Sequence, residues 1–187
     1  MVTVRRKFEK TTIAAIAAVG LGLFFGMLRP AFLEQADAAA LAAALRVFVT
    51  EFDPAALGLG AMVESLLRYG RLLVLIWACA AFPKAFYAAY LVLYLHSMTL
   101  GFSAAMLAYA FGGRGVGYAM GLYLLQNLII LPVCAYTVCF IAKNPLRGAA
   151  GGVMKAVIKI VTAGILCVVL VAVLEVYVVP WIFGLLL

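Results

Sequence analysis

Apolar side chains run almost without relief through several long stretches of this chain, and the polar residues between them predict where it turns. The first run, about 12–30, follows Arg5, Arg6, Lys7 and Lys10. About 20 consecutive apolar residues cross a bilayer as a helix. Gly22 and Gly26 fall one turn apart on one face of it. They are either incidental to an alanine-rich helix or a seam where a second helix packs closely. The basic lead could belong to a signal peptide, with small residues at 36–38 for cleavage. The run is long for a signal core, however, so an uncleaved first span is predicted.

Residues 34–70 have a different pattern. Leu41, Leu45, Phe48 and Phe52 recur at helical spacing, with Glu34, Asp37 and Glu51 elsewhere. Asp53 and Pro54 then supply an N-cap and a first-turn proline for a second helix. Neither piece is apolar enough to span, so both are expected to lie on the membrane surface. From Leu72 to Phe111 the chain is again apolar, and a single helix of that length would measure about 60 Å, twice the hydrocarbon thickness. It must double back. "LYLHSMTLG", with His96, Ser97 and Thr99, is the predicted turn, between helices near 72–93 and 97–111, the first kinked at Pro83. A fourth helix is expected over about 117–142, opening with Gly117 and Gly121 at close-packing spacing. A fifth, over about 154–179, ends at Pro180, with Trp181 as an interfacial anchor.

Composition sharpens this pattern into a class. Of 187 residues, 68% are hydrophobic and 11% charged, with a mean hydropathy of +1.20. Soluble domains carry about 25% charged residues. The expectation is an all-α, polytopic helical membrane protein with about five transmembrane helices and an external amphipathic segment. Residues 1–33 would be the cytoplasmic N-terminus and first span, 34–70 the extracytoplasmic helices, and 71–187 four further spans. The formal charge of +7 fits orienting cations on cytoplasmic loops and points away from nucleic acid, since no soluble basic face exists. That rule places the N-terminus in the cytoplasm and the C-terminus outside a cell (plasma) membrane. Cys79, Cys134, Cys139 and Cys167 lie in apolar surroundings and read as small packing residues.

Few polar side chains remain within the spans. Lys84 and the adjacent Gln126 and Asn127 fall at similar depth, about 15–20 Å in from the outer helix ends. Glu175 falls near the outer surface, level with Arg68 or Arg71. These four form the expected intramembrane polar layer, in which Lys84 meets the two amides and Glu175 meets an outer arginine. Such a layer either lines an ion or solute path or holds helices together. His96 is expected in a turn. No nucleophile–base pair, metal-ligand spacing, phosphate loop or dinucleotide fingerprint occurs, so no catalytic residue, metal or cofactor is assigned and no enzyme is expected.

Two short motifs add a resemblance. "YLLQNLIILP", with Gln126, Asn127 and Pro132, and "AVLEVYVVP", with Glu175, Tyr177 and Pro180, follow one N-terminal span and an external amphipathic stretch. In combination and order they resemble the stage II sporulation protein M family over nearly the whole chain. The resemblance implies a non-enzymatic scaffold in the cell membrane. It would recruit membrane-anchored peptidoglycan hydrolases, of the kind of stage II sporulation proteins P and D, during forespore engulfment or related wall remodelling. A homodimer packed through the glycine faces is a further expectation. The alternative is a transporter, channel-like or ABC-permease-like subunit.

Overall fold

The computed structural model describes residues 2–51, 58–82, 86–143 and 151–181. Every element among them is helical. α1 runs Val2–Leu28 and passes into a 3-10 turn, Arg29–Phe32. Pro30 sits in the first turn of that element, where a missing backbone donor costs nothing. α2 is Gln35–Thr50, with Asp37 in its first turn complementing the helix dipole. α3 is Leu59–Ala81, α4 Phe86–Phe111, α5 Gly113–Ala119, α6 Leu125–Lys143 and α7 Gly151–Val173. Two π-helical turns, Met120–Leu124 and Leu174–Val178, follow α5 and α7.

Among the described residues three stretches are long and apolar enough to cross a membrane: Lys10–Phe32, Tyr87–Phe111 and Val157–Trp181. A fourth is added if Gly113–Tyr123 and Leu125–Phe140, bent by 52° at their junction, count as one broken span. This is an all-helical protein with three to four candidate membrane-spanning helices.

The hairpin predicted at His96 does not form. Phe86–Phe111 is one helix of 26 residues, with His96, Ser97 and Thr99 in its middle. These polar groups do not break it, because His96 and Thr99 are bonded within the fold. The Thr99 hydroxyl donates to Leu95 O at 3.0 Å. The interruption comes earlier, between Ala81 and Phe86, and Pro83 and Lys84 there lie outside the described residues. The second surface helix is likewise not separate. Residues 59–70 continue into 71–81 because one buried stripe, Ser65, Tyr69, Leu73 and Ile76, runs unbroken at helical spacing. The cap expected at Asp53 and Pro54 lies outside the described residues.

Five of the helices, α1, α3, α4, α6 and α7, share one core. Tyr69, Leu73 and Ile76 of α3 pack with Ala89 and Leu93 of α4, Ile130, Cys134 and Val138 of α6, Val168 and Val171 of α7, and Ala15 of α1. α1 and α4 run parallel at very short separation, since Gly22 faces Tyr94 and Ser97 while Gly26 faces Met98 and Phe102. A Cβ on Gly22 would stand 2.8 Å from the Ser97 Cβ, and one on Gly26 would stand 2.9 Å from Phe102 N. From the other side, Gly101 abuts the backbone of Leu23. Of the other predicted packing pair, Gly121 is buried within the π turn and Gly117 is half-buried.

α4 ends on Gly112, whose φ of +62° is a left-handed conformation that disfavours a side chain. α5 starts at once and folds back, with Phe111 and Tyr118 edge to face at 5.1 Å. α2 lies across this end of the bundle. Its Val49 packs with Leu107, Tyr118 and Ala119, and Arg46 donates from Nε and Nη2 to Ala110 O at 3.1 and 3.0 Å. Ala110 is in the last turn of α4, where carbonyls lack intrahelical partners, so this guanidinium serves as a C-terminal cap.

Candidate functional site

The polar groups inside the bundle collect around the two π-helical turns. A π turn inserts one extra residue and so re-aims the side chains that follow, and such turns recur at functional sites. One of them carries Glu175. The Ser65 hydroxyl donates to Glu175 Oε2, and Arg68 Nη1 donates to Oε1 at 3.2 Å. Arg68 also reaches Glu64 of its own helix at 3.4 Å. The depth argument offered Arg68 or Arg71 for Glu175, and the structure brings Arg68 to it. Ser65 was missed, although it sits three residues before Arg68 on the same helix. Ser65 is buried, the Glu175 side chain is 24% exposed and that of Arg68 is 54% exposed. The interaction is therefore a partly solvated ion pair anchored on a buried hydroxyl, and the hydroxyl contact is the better protected part.

The other π turn carries Tyr123, which shares a hydrogen bond with Ser103 of α4. Tyr69 is buried one turn beyond Ser65 on α3. Ser65, Arg68 and Glu175 thus form one bonded cluster joining α3 to the second π turn.

Asn127 has a separate role. Its Nδ2 donates to Tyr123 O at 2.8 Å, satisfying a carbonyl at the helix break. Its Oδ1 accepts from His96 Nε2 at 3.1 Å, which ties α6 to α4. His96 is therefore an interhelical partner at mid-helix and not the turn residue predicted. One signal in the sequence could have revealed it. His96 and Ser103 stand seven residues apart, on one face of a run with no proline. Asn127→Leu should lower stability by about 1–2 kcal/mol, the scale of a lost hydrogen bond that strands its partner. Combined with His96→Phe in a double-mutant cycle, the coupling should be near 0.6 kcal/mol, typical between membrane helices. Thermal unfolding in detergent measures both, and strict additivity would remove the His96–Asn127 link.

Gln126 does not join Asn127 on a shared partner. It is 1% exposed, and neither its Nε2 nor its Oε1 is hydrogen-bonded among the described residues. It stands one turn before Ile130, on the stripe of Ile130, Cys134 and Val138. Lys84, the remaining member of the expected layer, lies outside the described residues. Of the motif residues, Pro132 and Tyr177 are exposed and Pro180 is half-buried, so none of the three belongs to this cluster.

A cavity of about 440 Å³ opens between α1, α4 and the bent α5–α6 unit, lined by Leu23, Met27, Ala104, Val116 and Met120 among others. Among the described residues Tyr123 and Asn127 are its only polar side chains, so its wall suits hydrocarbon and offers little to a charged solute. Among the described residues no group of three or more His, Cys, Asp or Glu side chains converges as a metal would require.

The fold and cluster define a class: an all-helical membrane-type bundle with an internal polar cluster at its π turns. No family model, curated protein or solved structure matches this chain. The likeness to the stage II sporulation protein M family rests on the quoted motifs alone.

Proposed function

We propose that the chain is a non-enzymatic scaffold of the cell membrane that crosses the lipid five times, with α3 as the fifth crossing. α3 runs antiparallel alongside the span Val157–Trp181. Ser65 meets Glu175 near one end, and Leu73 and Trp77 lie against Gly164 further along. A helix flanking a span over this length shares its environment, even though Glu64, Arg68 and Arg71 make it less apolar. Five crossings place the two termini on opposite sides. The positive-inside rule then assigns Arg5, Arg6, Lys7, Lys10, Lys143, Arg147, Lys155 and Lys159 to the cytoplasm. The outer side receives Arg29, Arg46, Arg114 and α2.

The observation that carries the scaffold reading is α2, pinned across one end of the bundle through Arg46 and Val49. It leaves Leu41 and Phe48, two turns apart on one face, exposed at 41% and 52%. Within the bundle the polar side chains join helices: Glu175 with Ser65 and Arg68, His96 with Asn127. That is the use expected of a framework. The partners are membrane-anchored peptidoglycan hydrolases, as the sporulation resemblance implies. Leu41→Asp with Phe48→Asp should leave the helical fold intact by circular dichroism in detergent and remove co-purification of such hydrolases from native membranes. Undiminished co-purification would rule α2 out as the docking face.

One observation favours the transporter or permease-like alternative: Gln126, a buried amide with no hydrogen-bond partner among the described residues. Proteoliposome flux abolished by Gln126→Leu, with the fold intact, would establish that reading over the scaffold.

A further inference from the structure

Arg71 occupies an unusual place. Along the antiparallel pair of α3 and the last span, it lies six residues beyond Ser65, which faces Glu175. It stands two residues before Leu73, which lies against Gly164. This brings it level with the middle of Val157–Trp181. It is exposed, at the centre of the α3 stripe Glu64, Leu67, Arg71, Leu75 and Ala78, directly opposite the buried stripe Ser65, Tyr69, Leu73 and Ile76. Beside it, Gly70 has no atom within 4 Å of where a Cβ would stand, and Val74 is 59% exposed. Among the described residues no carboxylate pairs with Arg71. The two acids nearest in depth, Glu64 and Glu175, are both engaged by Arg68.

Charged side chains at the bilayer centre are costly, and almost always face protein or a water-filled cavity. A face of α3 that turns away from its own bundle while carrying a mid-depth cation is therefore covered. Lipid answers this poorly. The side chain leans toward the helix N-terminus, the outer end, but its reach of about 7 Å falls short of the headgroups from mid-depth, given a hydrocarbon core about 30 Å thick. A second copy answers it poorly too. Two-fold pairing through this face sets Arg71 against the Arg71 of the other copy at equal height, two like charges in a low dielectric.

We infer that this α3 face is a docking surface inside the membrane for a transmembrane helix of a different protein, one with a carboxylate side chain at mid-depth. The apolar residues around Arg71 and the open side of Gly70 allow close approach. The Arg–carboxylate pair then supplies both specificity and register. This surface is distinct from the α2 face, but it rests on the reading that α3 crosses the lipid.

The test uses the full chain in phosphatidylcholine vesicles with a synthetic transmembrane peptide, a leucine–alanine helix bearing one central Glu. The reference peptide has Leu at that position, and association is read by energy transfer from Trp77 and Trp181 to a dansyl group on the peptide. The Glu peptide should bind about tenfold more tightly than the Leu peptide, the scale of an interhelical polar contact in model peptides. Arg71→Leu should erase the difference and Arg71→Lys should keep part of it. Equal binding of the two peptides, or a preference that survives Arg71→Leu, overturns the inference. So does self-association, or binding to phosphatidylglycerol vesicles, that is lost in Arg71→Leu, since either names a different occupant. Labelling Gly58→Cys and Phe82→Cys in the same vesicles separates the two claims. Labelling from opposite faces with no peptide preference defeats the partner helix alone, whereas labelling from one face removes α3 from the lipid and both claims with it.

Discussion

Gly26→Leu is expected to separate α1 from α4 and to leave a protein that barely accumulates in membranes. At this position a Cβ already falls inside the contact distance of Met98 O, and the obstacle is backbone, which cannot rotate away as a side chain can. Leucine adds three further carbons. Forcing extra atoms into a packed interface costs about 1–3 kcal/mol when neighbouring side chains can yield. Here the upper end or beyond is expected, because α1 and α4 lose contact along a whole seam. For a chain of this size about 3 kcal/mol lowers Tm by about 6–12 °C. Gly22→Leu and Gly101→Leu should behave alike, since all three glycines line one contact. Gly20→Leu is the control: no atom lies within 4 Å of its Cβ position, so its Tm should move by no more than about 1–2 °C, the scale of an exposed-site change. Thermal unfolding of the four variants in one detergent separates the two classes. A Gly26 variant as stable as the Gly20 variant would mean that α1 does not rest on α4 as described.

Glu175→Leu is the second large effect. It leaves the Ser65 hydroxyl, which is 2% exposed, without its acceptor, and it frees Arg68. Because the guanidinium is more than half exposed, its charge contribution is screened and small. The greater part of the loss comes from the stranded hydroxyl and from the junction of α3 with α7. An overall cost of about 1–3 kcal/mol is expected. Glu175→Gln should be milder, since its amide oxygen still accepts from Ser65. In a double-mutant cycle, Ser65→Ala should show coupling to Glu175→Leu of about 1 kcal/mol, whereas Arg68→Leu should show less. The reverse order would shift the weight of the interaction onto the ion pair.

Much of this fold can be read along the chain, but the hairpin cannot. α1, α7 and α2 are legible as helices because unbroken apolarity and a helical stripe each have one structural meaning. The segment 72–111 was misdivided because His96, Ser97 and Thr99 look in sequence like a turn. A polar group bonded across to another helix has the same composition as one that ends a helix. Only the position of Asn127 on α6 distinguishes the two cases. The same ambiguity hid α3. Glu64 and Arg68 mark 59–70 as a surface helix until Glu175 and Ser65 are seen to meet across the bundle. Counting residues from the helix ends left Arg68 or Arg71 as the partner of Glu175, and Arg68 is the one that meets it. The π turns were not readable, because an inserted residue leaves no mark on an apolar run. Without them the meeting of Glu175 with Ser65 and Arg68 does not follow from any helical spacing.

The crossing of α3 is the point on which the topology, the outer α2 face and the Arg71 surface all depend. Its most direct measurement uses a protein with Cys79, Cys134, Cys139 and Cys167 replaced by alanine and single cysteines introduced at Gly58 and Phe82. Sealed right-side-out vesicles are treated with a membrane-impermeant maleimide, before and after permeabilisation. The expected result is immediate labelling at position 58 and labelling at position 82 only after permeabilisation. Labelling of both positions in sealed vesicles, or of neither, would contradict an α3 that spans the lipid.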